Sequence, residues 1–179
     1  MTRLRMIVAG LLVSLAAGGC ATAPPVGAAA PPFAGVDQEG EAVTLAAYRD
    51  RVLFLDFWSL WCGPCLRSGH LVEQLHQRYQ DAADVEVLAV HAVDDGDPDA
   101  YLTKQGYTYR NIARGANIAA AYDINALPTY LVIDSDGRVA HRHFGELTES
   151  VRDELVEVIE RIRPRSAPAD QRSAGPPVR

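Results

Sequence analysis

Apolar runs alternate with amphipathic stretches through the middle of the chain. Residues 52–58 and 85–93 are almost continuously apolar, which is typical of strands buried on both faces of a sheet. Between them, apolar side chains recur at helical spacing over residues 64–79, and two shorter helices are predicted over residues 98–105 and 115–122. A strand, a helix and a second strand in this order indicate parallel pairing through a crossover connection.

Two hairpin patterns complete the predicted domain. Residues 33–43 hold an Asp-Gln-Glu-Gly turn between apolar positions, and a Ser-Asp-Gly turn separates residues 129–134 from residues 138–144. Thr148 is a favourable N-cap for a last helix that has one apolar face. The chain therefore predicts an α/β fold in which helices flank a central mixed β-sheet, with an N-terminal β-hairpin and an antiparallel pair of strands before the last helix.

The composition of the two ends of the chain indicates that neither end belongs to the folded domain. Two arginines and an apolar run shorter than the ~20 residues of a membrane span predict a secretory signal peptide over residues 1–19. An Ala/Pro-rich tether is predicted over residues 20–32, and a disordered Pro/Arg tail over residues 164–179. The domain is then residues 33–163, in an extracytoplasmic compartment.

Charge is unevenly distributed and argues against one class of partner. The whole chain has a net charge of −6, while residues 20–160 hold 10 Lys and Arg against 22 Asp and Glu, or −12. The folded body is therefore acidic, so we expect no nucleic-acid partner.

Two of the three cysteines carry the candidate chemistry. Three cysteines are too few for a disulfide scaffold or a four-ligand zinc site, so no metal is expected. Cys62 and Cys65 enclose Gly63 and Pro64 at the point where a buried strand gives way to a helix. Because a helix N-terminus favours negative charge, the pKa of the Cys62 thiol should fall, which makes Cys62 the attacking nucleophile. Cys65, about one turn into the helix, is the predicted resolving thiol.

A carboxyl and an aromatic residue extend this candidate site. Asp56 lies within the apolar strand, where burial should raise the pKa of its carboxyl and let it exchange a proton with Cys65. The alternative is a partly exposed strand residue. Trp61, directly before Cys62, is predicted to shape a surface that partners touch.

The residues around the cysteine pair resemble a known signature. Phe-Trp-Ser-Leu-Trp-Cys-Gly-Pro-Cys over residues 57–65 resembles the active-site motif of thioredoxin-like proteins, and the likeness covers nearly all of residues 33–163. The 66 residues from Cys62 to Pro128, together with the N-terminal hairpin, resemble more closely the TlpA/ResA-like thiol–disulfide oxidoreductases. This resemblance implies a thioredoxin fold with a central insertion.

The resemblance also implies roles for individual residues. Leu127, Pro128 and Thr129 resemble the cis-proline loop, which in the family faces the cysteine pair and binds the substrate backbone. Asp56 matches the buried acid of thioredoxins, although TlpA/ResA-like members often carry a different residue there. The family uses protein disulfides as substrates, apocytochrome c among them, and draws electrons from a membrane thiol–disulfide donor.

The residues before Cys20 resemble the lipobox of bacterial lipoproteins. In that family the cysteine becomes the first residue of the mature protein and carries the lipid, although leucine is usual where this chain has Ala17. The resemblance implies a lipidated Cys20 and a membrane-anchored lipoprotein on the periplasmic side. Cleavage without lipidation, or retention of the leader as an anchor, is the alternative.

These observations predict an enzyme of dithiol–disulfide exchange that reduces protein disulfides, acts as a monomer and needs neither a metal nor an organic cofactor. The neutral Gly63–Pro64 pair offers no extra cation to a thiolate, which favours a reductant. One alternative is an oxidant or isomerase on the same fold, and another is a non-enzymatic module that binds metal through the two thiols. Peroxide reduction is disfavoured, since the chain lacks a Thr-x-x-Cys motif; Ser59 stands three residues before Cys62.

Two other clusters are given simpler interpretations. Four aspartates between residues 94 and 99 lack the spacing and closing glutamate of a calcium loop, so a solvated loop is predicted. His141 and His143 alternate on one strand and are interpreted as surface residues rather than metal ligands. His91, near the end of the second strand, is interpreted as structural.

Overall fold

The computed structural model describes residues 22–164. The predicted signal peptide, the proposed lipidation site Cys20 and the predicted tail after Pro164 lie outside these residues. Within residues 22–164, no helix combines the length and apolar character needed to cross a membrane.

The described chain has the predicted strands and helices in the predicted order, with one further strand over residues 110–112. The strands are β1 (Ala34–Val36), β2 (Ala42–Thr44), β3 (Val52–Trp58), β4 (Val85–His91), β5 (Arg110–Ile112), β6 (Thr129–Ile133) and β7 (Val139–Phe144). The helices are α1 (Gly63–Tyr79), α2 (Pro98–Gln105), α3 (Ala116–Ala121) and α4 (Glu149–Ile162), and a short 3-10 turn covers Leu45–Tyr48. The N-terminal hairpin, the central strand and the last helix are thus confirmed.

Five strands form one mixed sheet in the order β5-β4-β3-β6-β7. β3 pairs in parallel with β4 and antiparallel with β6, and β7 adds an antiparallel edge. Every residue of β3 is buried, which explains why its sequence is almost continuously apolar. The mixed, helix-flanked sheet predicted from the sequence is therefore present, and β3 carries the chain directly into the cysteine pair.

Each face of the sheet supports its own hydrophobic core. On one face, Phe54 and Trp58 of β3 pack with residues of α1 and α4, and Cys65 belongs to the same cluster. On the other face, Phe57 packs with Tyr122 and with the N-terminal hairpin. Because side chains alternate along a strand, the residue between Phe54 and Trp58 at position 56 faces the cysteine-bearing helix.

The segment predicted as a tether packs on the domain instead. Within residues 23–30, here called the strap, Gly27 N donates to Val139 O (2.7 Å) and Ala30 N donates to Gly137 O (2.9 Å). Ala30 is buried as well. The prediction of a tether over residues 20–32 is therefore wrong for this part, because backbone hydrogen bonds to an edge strand do not require apolar side chains.

Candidate active site

The cysteine pair stands where β3 passes into α1. Cys62 and Cys65 form a disulfide with an S–S distance of 2.07 Å. Cys62 is the N-cap of α1, and its Sγ accepts a hydrogen bond from the backbone N–H of Cys65 (3.1 Å). Pro64 lies in the first helical turn, where its missing N–H is tolerated. A thiolate on Cys62 would therefore find a backbone donor and the positive end of a helix already in place.

The two sulfurs differ in accessibility. Cys65 is 5% exposed and belongs to the core beneath α1, whereas Cys62 is partly exposed at the start of the helix. An incoming disulfide can therefore reach Cys62 first, while Cys65 is protected from solvent and from other thiols. The predicted roles of attacking and resolving thiol require this difference in accessibility.

The loop between β3 and α1 is held from below by a buried histidine. Leu60 N donates to His91 Nε2 (3.2 Å), and His91 Nδ1 lies 2.6 Å from Val93 O. This pair of contacts places the ring proton on Nδ1, which donates to the carbonyl. Ser59 is buried too, and its backbone oxygen accepts from Cys62 N (3.2 Å). His91 thus fixes the position of the loop that presents Cys62.

An exposed tryptophan and the loop over residues 94–99, here called the acidic loop, form one rim of the site. The Trp61 side chain is 78% exposed, and its Nε1 donates to Asp95 (2.7 Å). Gly96 has φ +67, and a Cβ there would lie 2.6 Å from Leu60 Cδ1. The acidic loop therefore packs on the active-site loop, and Asp97 caps α2 by accepting from Ala100 N. Asp94, Asp95 and Asp97 are exposed, as the predicted solvated loop requires, and the contacts to Trp61 and Leu60 add to that prediction. Within residues 22–164, no group of three or more His, Cys, Asp or Glu side chains could hold a metal ion.

Asp56 is buried beneath the cysteine-bearing helix. The residue is 4% exposed, and its Oδ1 has no hydrogen-bond partner among the described residues. Burial raises the pKa of Asp56 to about 8. The alternative of a partly exposed strand residue is therefore wrong. A carboxyl with this pKa is largely protonated at neutral pH and can exchange a proton there.

The predicted cis-proline loop lies at the same edge of the sheet as the cysteines. The Leu127–Pro128 peptide bond is cis, as predicted. Thr129 is the register partner of Phe57, near the end of β3 that leads to Cys62. Because β6 runs antiparallel to β3, the start of β6 and the end of β3 meet at one edge. Leu127 packs against both core clusters, which anchors the loop.

An ion pair beside the first turn of α1 was not predicted. Arg67 donates through Nε and Nη2 to the Glu146 carboxylate, at 2.9 and 2.6 Å. Glu146 follows Gly145, whose N–H donates to Pro128 O (3.1 Å). Arg67 Nη1 lies 3.6 Å from the point where a Cβ on Gly63 would stand. The Arg67 cation therefore lies beside a helical turn whose own residues are neutral. The sequence does not predict this ion pair, because Arg67 and Glu146 are 79 positions apart.

Comparison with known proteins places the chain in a family. The sequence profile of the Redoxin family matches residues 25–159. The chain belongs to the Redoxin family. This Redoxin chain is 33% identical over 176 residues to thiol-disulfide oxidoreductase ResA of Geobacillus kaustophilus, covering 90% of this chain and 97% of that protein. The predicted resemblance to ResA-like proteins is thereby confirmed.

Solved structures give the same result for the fold of this Redoxin chain. A Chlorobium tepidum structure named as thiol:disulfide interchange protein DsbE superposes with a TM-score of 0.70 at 27% identity, covering 78% of this chain and 99% of that chain. A thioredoxin domain from Bacteroides vulgatus, at 14% identity and a TM-score of 0.65 over 75% of this chain and 98% of that one, shares the fold. The predicted thioredoxin fold is confirmed.

Proposed function

We propose that this protein is an extracytoplasmic thiol–disulfide oxidoreductase that reduces disulfides in other proteins. The observation that carries the proposal is the Cys62–Cys65 disulfide at the N-terminus of α1, with one sulfur accessible and the other buried. Relatives named thiol-disulfide oxidoreductase ResA support it, since they match most of the chain. The chemistry needs no metal or organic cofactor, because the electron pair is carried by the two sulfurs.

The first step is attack by reduced Cys62. Its thiolate attacks one sulfur of the substrate disulfide, a bond forms between the two sulfurs, and the other substrate sulfur leaves as a thiolate that takes up a proton. The backbone N–H of Cys65 and the helix N-terminus stabilise the attacking thiolate before the reaction. The product is a mixed disulfide between Cys62 and the substrate.

The second step is resolution by Cys65. Its thiol loses a proton and attacks Cys62 Sγ, which breaks the mixed disulfide, restores the Cys62–Cys65 bond and releases the substrate as a dithiol. The ionised fraction of Asp56 is the proposed proton acceptor, because a pKa of about 8 leaves some carboxylate at working pH and the residue faces the helix that carries Cys65. Two electrons pass to the substrate in each cycle.

The surface around Cys62 is the proposed substrate site. We assign substrate binding to Leu127, Pro128 and Thr129, whose loop shares an edge of the sheet with the cysteines. Trp61 offers an exposed aromatic face directly beside the nucleophile. Gly63 and Pro64 shape the turn between the cysteines. The proposed substrate is an extended segment of a partner protein that binds at this surface, and apocytochrome c is one candidate partner.

Reducing equivalents must come from another protein, since the cycle ends with an oxidised pair. A membrane thiol–disulfide donor is the proposed source, and lipidation of Cys20 would keep the monomer close to it. Mass spectrometry of the mature N-terminus tests the anchor: diacylglyceryl on Cys20 supports it, and an unmodified cysteine or an intact leader contradicts it.

The deciding experiment is the reduction potential of the Cys62–Cys65 couple, measured by equilibration with glutathione or dithiothreitol buffers. A reductant should lie near the thioredoxin value of about −270 mV, whereas an oxidant lies toward about −120 mV. A potential in the oxidant range would overturn the proposed direction and favour disulfide formation or isomerisation.

Trapping tests the assigned roles of the two cysteines. Cys65→Ser should accumulate a mixed disulfide with an oxidised protein substrate, because no thiol remains to resolve it. Cys62→Ser should accumulate none, since the accessible nucleophile is gone. Non-reducing gels of the two variants measure the trapping. Trapping by Cys62→Ser alone would reverse the assignment, and equal trapping by both would refute it.

A further inference from the structure

The Arg67–Glu146 ion pair links the cysteine-bearing helix to the loop that follows β7. Arg67 lies two residues beyond Cys65, and its side chain runs back toward the start of α1, as helical side chains do. Its Nη1 consequently lies 3.6 Å from the point where a Cβ on Gly63 would stand, and Gly63 is the residue directly after Cys62. A positive charge is thus held beside the first turn of the helix, close to Gly63, the neighbour of the proposed nucleophile.

Glu146 holds this charge in place and offsets it. Both carboxylate oxygens accept from the guanidinium, so the pair is bidentate. The loop carrying Glu146 is fixed on both sides, because Gly145 N donates to Pro128 O and Leu147 N donates to Ser68 Oγ (3.0 Å). Glu146 therefore cannot move far from Arg67 without disturbing the cis-proline loop and α1.

The other titratable groups around the cysteine pair have different positions. Asp56 is buried beneath the helix, on the side of Cys65. His91 hydrogen-bonds to backbone on both ring nitrogens below the loop. Asp95 accepts from the Trp61 indole on the opposite rim. Arg67 and Glu146 are the charged pair whose contacts reach the exposed first turn.

We propose that the Arg67–Glu146 pair sets the stability of the Cys62 thiolate, with Arg67 as the stabilising cation and Glu146 as the carboxylate that offsets it. A cation that stabilises the thiolate stabilises the reduced protein and makes the couple more oxidising, whereas a nearby carboxylate makes it more reducing. Both residues are positioning residues, since neither takes part in bond exchange. The inference rests on the proposed function, in which Cys62 attacks as a thiolate.

Single and double substitutions separate the two charges. Glu146→Gln leaves Arg67 uncompensated and should raise the thiolate fraction of Cys62 at neutral pH by about two- to threefold, a modest effect because the pair is exposed. Arg67→Gln leaves the carboxylate alone and should lower it by a similar factor. The double variant should return to the wild-type value. The rate of Cys62 alkylation against pH, read by mass spectrometry of the reduced full chain, measures each change.

The redox equilibrium gives a second readout with the same signs. At a pH where Cys62 is ionised in every variant, the equilibrium constant with glutathione should shift about two- to threefold, which is about 9 to 14 mV for a two-electron couple. Glu146→Gln should be more oxidising and Arg67→Gln more reducing. High salt should shrink the difference between them, because exposed charges are screened.

Arg78 and Glu160 provide a matched control pair. Arg78 lies on the same helix, 3.7 Å from Glu160, with side-chain exposures of 54% and 41% against 61% and 39% for Arg67 and Glu146. It is 16 positions from Cys62, or about 24 Å along the helix. Arg78→Gln and Glu160→Gln should leave both readouts unchanged.

The outcomes distinguish this inference from the proposed function. Shifts of the same sign in Arg67→Gln and Glu146→Gln, or no shift in either, would refute the assignment of opposing charges. Shifts of equal size in the control variants would refute it as well. A wild-type potential in the oxidant range would instead overturn the proposed direction of electron flow, while leaving the opposite signs of the two variants intact.

Discussion

A carboxyl buried without a full set of hydrogen-bond partners destabilises a folded protein unless it stays protonated. Asp56 is in this position within β3, where Oδ1 is unpartnered among the described residues and the pKa is raised to about 8. An apolar residue at this point would stabilise the strand. The proposed proton transfer with Cys65 gives a reason for carrying the carboxyl in the core.

Replacing Asp56 with Asn separates stability from activity. The folded pKa of about 8 exceeds the unfolded value near 4. The contribution of Asp56 to folding stability is therefore fully present below about pH 4 and is lost as the pH rises through about 8. Asp56→Asn should therefore gain stability relative to wild type by about 1.4 kcal/mol per pH unit across that window. Urea denaturation at several pH values measures this difference. A constant gap between pH 5 and pH 7.5 would show that Asp56 is ionised in the folded protein.

The same variant should be a poorer enzyme. With no group to accept the Cys65 proton, resolution of the mixed disulfide should slow by about tenfold or more near neutral pH. Stopped-flow measurement of the resolution step, with the Cys62 alkylation rate as a control for the first step, checks this expectation. Unchanged resolution in a variant of altered stability would remove Asp56 from the mechanism.

At the scale of single residues, the sequence predicts what depends on local context. Cys62 and Cys65 follow from a motif between a strand and a helix, and burial of Asp56 follows from its apolar neighbours. The contact between His91 and Leu60 does not follow, nor does the pair formed by Arg67 and Glu146. Those contacts depend on how distant segments pack, and a single sequence carries no periodic signal for them.

Helices and strands could be predicted where their own residues determine them, and were missed where contacts with other segments determine them. α2 has the predicted bounds, Pro98–Gln105, and the predicted cap Thr148 of α4 accepts from Val151 N (3.3 Å). β5 was missed because it has three residues, of which only Ile112 is a strong apolar signal. The strap was missed because its edge pairing uses backbone groups alone.

The strap should be a stabilising element rather than a linker. Ala30→Pro removes the N–H that donates to Gly137 and should lower the free energy of unfolding by about 1 to 3 kcal/mol. Faster hydrogen exchange at Gly27 should accompany the loss. Thr22→Pro, at an exposed position before the strap, is the matched control and should change neither quantity. If Ala30→Pro and Thr22→Pro have the same free energy of unfolding, the strap does not contribute to stability.

Across the whole molecule, residues 22–44 at the start of the described chain contact both edges of the main sheet. The strap pairs with the start of β7, while Asp37 forms a bridge with Ile112 on β5. Open edges invite pairing with other chains, and these contacts close part of each edge. The edge at β5 is held by charge, since Arg110 donates to Asp37 Oδ2 through Nε and Nη2 at 2.9 and 2.5 Å.

We expect low pH to weaken the contact between Asp37 and the β5 edge before it affects the rest of the sheet. Burial alone would raise the pKa of Asp37, but hydrogen bonds from Arg110 and from the backbone of Glu39 and Glu41 outweigh it, so its pKa is lowered. The stabilisation is therefore present above the unfolded value near pH 4 and is lost as the pH falls through the lower folded value. Asp37→Asn should lose about 1.5 to 3 kcal/mol of stability at pH 7, because it loses the charge-assisted hydrogen bonds from Arg110, whose side chain is 35% exposed.

Denaturation of wild type and Asp37→Asn as a function of pH tests this edge. The two stability curves should converge as the pH falls through the lowered folded pKa of Asp37, because the wild-type carboxyl is then protonated as well. Asp153, whose side chain is 67% exposed in its pair with Arg152, provides the control, and Asp153→Asn should change stability by less than about 1 kcal/mol. Curves for Asp37→Asn and wild type that stay parallel down to acid pH would show that the hairpin is held by packing of Val43 and its neighbours, and that the buried charge adds nothing.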